Sequence, residues 1–91
     1  MAVYVDNMQA AFAGMIMCHM LADSDDELHA MADRIGISRR WHQKPGTTHS
    51  HYDICQTKRA LAVEYGAIEI TMREAGKLVL RRGRALRAGV G

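Results

Sequence analysis

The sequence predicts a small α/β domain in which three helices cover one mostly parallel or mixed sheet of four strands, in the order β-β-α-β-α-β-α. Two observations predict this fold class. Apolar segments of strand length alternate with segments of helical periodicity, as in α/β layer structures. The chain has 91 residues, of which 48% are hydrophobic, and this is enough for one core and one domain.

Four segments are predicted as strands from their β-forming or continuous apolar residues. They are Ala2 to Asp6, Met15 to Ala22, Ile37 to Gln43 and Ala67 to Ile70. The intervening segments, Asn7 to Gly14 and Lys44 to Ser50, are predicted as loops, the second because of its Pro-Gly turn.

Three helices are predicted from start and stop signals. The first begins at the capping box Ser24-Asp25-Asp26-Glu27 and ends at Gly36, the second begins at Asp53-x-x-Gln56 and ends at Gly66, and the third begins at Thr71-x-x-Glu74 and ends at Gly83. We therefore expect residues 1–91 to form a single domain in which residues 84–91 are a frayed basic tail.

Charge is distributed unevenly along the chain. Residues 1–33 contain six acidic residues and no Lys or Arg, a formal charge of −6, whereas the remainder contains twelve basic and four acidic residues, a formal charge of +8. The basic half is suited to the phosphates of a nucleotide or nucleic acid. Alternatively it is a solvated surface, or it pairs with the acidic half of a second copy in a homo-oligomer.

Several classes of protein are excluded. No apolar run approaches the roughly 20 residues that span a bilayer, and no basic stretch precedes an apolar segment as in a secretory signal, so we expect a cytoplasmic protein with no membrane partner. The two cysteines form no Cys-x-x-Cys pair and predict no disulfide framework. Neither a dinucleotide-binding glycine motif nor a Walker loop is present.

Candidate site residues lie where predicted strands end and helices begin, which is where ligands bind in parallel sheets. The densest polar cluster is His49-Ser50-His51-Tyr52-Asp53. His49 and His51 with a carboxylate are ligand types for Zn²⁺ or another divalent metal, with Asp6 or His19 added from neighbouring strands. In another interpretation His51 is a general acid or base oriented by Asp53 or Asp6. In a third, Asp53 caps a helix and the histidines are ordinary loop residues.

Four more residues are predicted to bind ligand. Tyr52 is suited to stacking on a base, Arg39 and Arg40 to binding phosphate, and Asn7 follows the acid that ends the first strand. Each also has a purely structural interpretation in packing, solvation or capping.

Four segments together resemble a small family of bacterial and phage proteins that is a domain of unknown function. They are Val3-Tyr4-Val5-Asp6-Asn7, Met15-Ile16-Met17-Cys18-His19-Met20, Asp26-Glu27-Leu28-His29-Ala30-Met31-Ala32-Asp33 and His51-Tyr52-Asp53-Ile54-Cys55. The resemblance covers nearly the whole chain and implies candidate residues, namely Asp6, His19, Glu27, Leu28, His29, His51, Tyr52 and Asp53. It implies no reaction.

Two hypotheses follow. In the first, the protein is a small hydrolase of phosphoesters or nucleotides, metal-assisted or not, with a catalytic set of His51, Asp53, Asp6 and His19. In the second, it is a non-enzymatic, oligomeric module that binds a nucleotide, nucleic acid or a host protein through its basic half. The His49–Asp53 cluster distinguishes them, because a purely electrostatic binder does not need it.

Overall fold

A computed structural model describes the backbone of residues 2–90 and the side chains of residues 2–84. The elements are β1 (Val3–Val5), β2 (Ala10–Phe12), β3 (Met15–Ala22), α1 (Asp25–Ile35), a 3₁₀ turn (Arg39–Trp41), β4 (Tyr52–Cys55), α2 (Gln56–Glu64), β5 (Ile68–Glu69) and α3 (Met72–Val90). The predicted small α/β fold with three helices and a mixed sheet is confirmed. The sheet has five strands rather than four.

The long strand β3 is the centre of the sheet. It pairs antiparallel with β1 and β2 on one side and with β4 on the other, and β5 pairs parallel with β1. The sheet is thus mixed, with one parallel pairing among its four. Residues that lie directly opposite each other on antiparallel neighbours point to the same face of the sheet. This pairing positions the site described below.

One face of the sheet packs on α1 and α2. Alternate residues of the strands point into this core, and α1 adds a stripe at helical spacing. The buried residues are Val3, Val5, Cys18, Met20, Ala22, Leu28, Met31, Ala32, Ile35, Tyr52, Ile54, Ala62 and Ala67. Leu21 of β3 is buried on the opposite face, and Ala75 and Leu78 of α3 are the other buried apolar residues outside this cluster.

The helix-start signals of α1 and α3 are confirmed. The Ser24 hydroxyl accepts a hydrogen bond from the Glu27 backbone N–H, and Gly36 adopts the left-handed conformation after the last turn, with φ 81°. Thr71 and Glu74 form a reciprocal capping box: the Thr71 hydroxyl accepts from the Glu74 N–H, and the Glu74 carboxylate accepts from the Thr71 N–H.

The strand predicted over Ile37 to Gln43 is wrong. This segment contains the 3₁₀ turn, in which the Ser38 side chain accepts from the Arg40 N–H. Only Gln43 pairs with another strand segment, in a single bridge to His51. Arg39 and Arg40 are exposed. Of the two apolar residues in the segment, Ile37 packs against the core and Trp41 is exposed, so the segment has no alternating apolar face for a sheet to bury.

The predicted start of the second helix at Asp53 is also wrong. Residues 52–55 are β4, because alternating Tyr52 and Ile54 are buried against the core while Asp53 points to the other face. The helix begins at Gln56.

Two further boundaries differ from the prediction. The loop predicted over Asn7 to Gly14 contains β2, and α3 continues past Gly83 to Val90. The expected fraying of residues 84–91 concerns a segment in which the side chains of 85–90, and Gly91 entirely, lie outside the described residues. Within the described part of the chain, no helix is both long and apolar enough to cross a membrane.

The turn between β2 and β3 predicts a stabilising substitution. It has two residues, Ala13 and Gly14, with φ of 50° and 78°, as in a type I′ hairpin turn, in which Asn-Gly is favoured. A left-handed conformation costs an Ala roughly 1–2 kcal/mol, and Asn tolerates it better. We expect Ala13→Asn to raise the thermal midpoint by a few degrees and Ala13→Val to lower it, measured by circular dichroism. A lower midpoint for Ala13→Asn would contradict this interpretation of the turn.

The two cysteines are expected to differ in reactivity. Burial raises the pKa of the Cys18 thiol to about 11, so only about 0.1% of it is thiolate at pH 8, and its side chain is inaccessible. Cys55 is only half-buried. Iodoacetamide at pH 8 should add one label per native chain, at Cys55, and two in denaturant, as measured by peptide mass spectrometry. Rapid native labelling of Cys18 would disprove this.

Candidate functional site

Cross-strand register brings three predicted site residues into a row on the sheet face opposite α1 and α2. Asp53 of β4 lies directly opposite His19 of β3. On the other side of β3, the Asp6 backbone N–H donates to the His19 carbonyl at 3.1 Å, which extends the β1 pairing by one residue. His51 stands two residues before Asp53, so it lies on the same face.

Asp6 is buried and is held by three donors. Its carboxylate accepts hydrogen bonds from the Met8 N–H at 3.2 Å and the His19 N–H at 2.9 Å, and from His19 Nδ1 at 2.7 Å. Burial alone would raise the pKa of Asp6, but these hydrogen bonds and the nearby His19 outweigh burial and lower it. Asp6 is therefore an anionic partner that fixes one nitrogen of the His19 ring.

His19 presents its other nitrogen to the surface. The hydrogen bond to Asp6 raises the pKa of His19, and burial partly opposes that rise. Because the Asp6 carboxylate is an acceptor, Nδ1 holds the proton, and in the neutral ring Nε2 has a free lone pair. That Nε2 lies 4.0 Å from Asp53 Oδ1.

His51 is held in the same tautomer by a different partner. Its Nδ1 lies 2.6 Å from the carbonyl oxygen of His49, and because a carbonyl only accepts hydrogen bonds, Nδ1 is the donor. The Nε2 atom is left free and lies 3.3 Å from Asp53 Oδ1. The rings of His19 and His51 meet edge to face, with centroids 5.1 Å apart.

Asp53 completes the group with one free oxygen. Its Oδ2 accepts from Gln43 Nε2 at 2.8 Å, whereas Oδ1 is buried and has no hydrogen-bond partner among the described residues. His19 Nε2, His51 Nε2 and Asp53 Oδ1 all lie within 4.8 Å of one another. We call these three residues the His19–His51–Asp53 cluster. Its donors are of the kind that bind Zn²⁺ and related divalent metals.

The structure does not bring the other predicted ligand-binding residues into this cluster. Tyr52 points into the core, where its hydroxyl lies 2.7 Å from His29 Nδ1. The Asn7 side-chain oxygen accepts from the Met72 N–H at the start of α3. His49 has an exposed side chain, and its carbonyl serves His51.

Arg39 and Arg40 are engaged on the surface. The Arg39 guanidinium donates twice to Asp33, at 2.8 and 3.2 Å, and this interaction lowers the pKa of Asp33. The Arg40 guanidinium lies over the Trp41 ring, 4.8 Å from its centroid. Neither contributes to the cluster.

Two residues that support the site were missed by sequence reasoning. Gln43 orients Asp53, and its backbone pairs with that of His51. Arg59 of α2 donates from Nε to the Asp6 carbonyl at 2.9 Å and from Nη1 to Glu69 at 3.0 Å. An exposed Gln after an arginine pair and an Arg on a helix give no sequence signal for these roles.

A second polar network lies beside the core. Ser50 donates to Asp25 at 2.6 Å, and His42 Nε2 lies 2.7 Å from the Ser50 oxygen. Burial lowers the pKa of His42. Because the hydroxyl proton is directed to Asp25, His42 Nε2 is a donor to Ser50 rather than its base. The geometry therefore does not activate Ser50 as a nucleophile.

Comparison with known proteins identifies the family. Residues 3–82 match the model of DUF4031, which is described as a protein of unknown function. Comparisons with curated proteins and with solved structures found no match. Because the family model spans most of the chain and includes every residue of the site, the chain belongs to the DUF4031 family.

Proposed function

We propose that the protein is a metal-dependent hydrolase in which His19, His51 and Asp53 hold a divalent ion of the Zn²⁺ type. One observation supports this most directly. In each of the three side chains, one polar atom already has a partner: His19 Nδ1, His51 Nδ1 and Asp53 Oδ2 contact Asp6, His49 and Gln43. The other polar atoms, two Nε2 nitrogens and one Oδ1 oxygen, are free and converge. Such outer partners fix the tautomer and orientation of metal ligands in proteins.

The spacing of the three atoms suits a tetrahedral ion. Ligands about 2.0–2.1 Å from Zn²⁺ in tetrahedral geometry lie roughly 3.3 Å from one another. The separation of His51 Nε2 from Asp53 Oδ1 is 3.3 Å, and that of His19 Nε2 from the same oxygen is 4.0 Å. All three atoms lie within 4.8 Å of one another, so ion binding would require the half-exposed His19 ring to move inward.

The set of three protein ligands predicts a catalytic rather than a structural role for the ion. Three protein ligands are typical of catalytic zinc sites, where the fourth position takes water or substrate, whereas structural sites have four protein ligands. A bound ion of this type supplies an acidified water and polarises a phosphoryl or carbonyl oxygen. In phosphoester hydrolysis the water oxygen bonds to phosphorus, the bond to the leaving oxygen breaks, and that oxygen takes a proton. Asp6 and Gln43 are positioning residues for His19 and Asp53.

The first test is the metal content of the purified, untagged protein, measured by elemental mass spectrometry after addition of Zn²⁺ and dialysis. We expect close to one zinc per chain in the wild type and none in His51→Ala. His49→Ala is the matched control, because His49 lies two residues away, has an exposed side chain and contributes only its carbonyl. It should retain the zinc.

Two results would contradict this assignment. Wild-type protein that stays free of zinc, or a His49→Ala variant that loses zinc as completely as His51→Ala, would remove the His19–His51–Asp53 cluster as a metal site. The alternative of a non-enzymatic binding module would then be the better hypothesis.

A second test concerns Gln43, which is exposed and therefore replaceable without disturbing the core. Gln43→Ala frees Asp53 Oδ2 and allows the carboxylate to rotate. Loss of such an outer partner typically weakens metal affinity about 10–100-fold. We expect Kd for zinc, measured by competition with a chromogenic chelator, to rise by that factor while the circular dichroism spectrum stays unchanged. Affinity unchanged in this variant would show that Gln43 does not position Asp53.

A further inference from the structure

The sheet face that bears the His19–His51–Asp53 cluster continues into an exposed apolar surface. Met15, Met17 and His19 alternate along β3 and so share that face, and Phe12 of β2 lies directly opposite Met15. The Phe12 and Met15 side chains are 66% and 42% exposed. We call Phe12, Met15 and Met17 the hairpin platform. The platform residue nearest to the cluster along β3 is Met17, two residues before His19.

A basic helix flanks the cluster away from the platform. The first N–H of α3, from Met72, donates to Asn7, the neighbour of Asp6, and ten residues later Arg82 donates to the Ser50 carbonyl, next to His51. Between and after these contacts, α3 has four exposed basic side chains and one exposed acid. The basic residues are Arg73, Lys77, Arg81 and Arg84, and the acid is Glu74.

The two flanks complement a ligand that combines flat apolar groups with negative charge. An exposed Phe beside Met side chains stacks on planar rings, and base stacking on such residues tolerates any sequence. Clustered Lys and Arg attract phosphates. A protein partner could pack on the platform, but it would not require the proposed ion between the platform and the helix. A phosphodiester would place a phosphoryl oxygen at that ion.

We propose, on the basis of the proposed function above, that the substrate of this site is single-stranded nucleic acid and that Phe12 stacks on one of its bases. The bases contact the hairpin platform, the backbone runs across the cluster, and further phosphates approach α3. A single strand is required because a duplex hides the faces of its bases. Phe12 is thus a specificity-determining residue outside the metal ligands.

The test is fluorescence anisotropy of zinc-loaded protein with a fluorescein-labelled oligothymidylate of about a dozen nucleotides, a length within the usual range for one binding groove, carrying a hydrolysis-resistant backbone. Phe12→Ala should raise Kd roughly tenfold, the usual effect of removing one stacking ring. The matched control is Ile16→Ala. Ile16 is 44% exposed on the same hairpin, but it lies between Met15 and Met17 on β3 and so points to the opposite face of the sheet. It should bind as the wild type does.

A second arm separates stacking from charge. An abasic oligonucleotide of equal length keeps the phosphates, so it should bind wild-type and Phe12→Ala protein equally and about tenfold more weakly than oligothymidylate binds the wild type. Both should weaken as salt rises. The proposal is overturned if oligothymidylate does not bind at low salt, if Phe12→Ala and Ile16→Ala weaken it equally, or if the abasic strand binds as tightly. Zinc content measured on the same samples tests the metal site independently, since neither substitution touches a metal ligand.

Discussion

The buried carboxylate of Asp6 is the constraint on which the site depends. A carboxylate removed from water must find donors inside the protein, and Asp6 finds them in the Met8 N–H and in the backbone and ring of His19. The Met8 contact folds the chain out of the β1 ladder. As a result three residues, 7–9, stand opposite Cys18 alone before pairing resumes at β2, as in an enlarged β-bulge. The same carboxylate determines which nitrogen of His19 faces the site.

Local capping signals predicted the starts of α1 and α3, whereas long-range pairing determined the start of α2, where prediction failed. Ser24 and Thr71 begin α1 and α3 because their capping bonds are made within one turn. Around Asp53 two signals competed. An acid followed three residues later by Gln is typical of a helix start, but the alternation of Tyr52 and Ile54 suits a strand with one buried face. The strand forms because β3 offers a partner more than thirty residues earlier in the sequence, which no local pattern reveals.

The residue types of the site were predictable, but the principle used to place them does not apply here. Asp6, His19, His51 and Asp53 were singled out because ligands bind at the carboxyl ends of parallel strands. They meet because antiparallel register aligns them across β1, β3 and β4. Arg39 and Arg40 were predicted to bind phosphate from a strand that does not form, since their segment is a 3₁₀ turn. Gln43 could not have been identified, since its role depends on a single bridge that places it beside His51.

The pattern of hydrogen bonds around Asp53 favours the proposed metal site over a purely structural polar network. A structural network uses every acceptor, because a buried oxygen without a donor costs about 1–3 kcal/mol. Here Gln43 engages one oxygen of Asp53 and no described residue donates to the other, although two histidines stand beside it. Both histidines have their protons directed away from Asp53 by the Asp6 carboxylate and the His49 carbonyl. When both Nε2 atoms are deprotonated, these tautomers aim two lone pairs toward a carboxylate oxygen, a repulsive arrangement that a cation at the centre would reverse. A cation binding there would therefore also stabilise the fold, by about 2.7 kcal/mol at a concentration one hundred times its Kd.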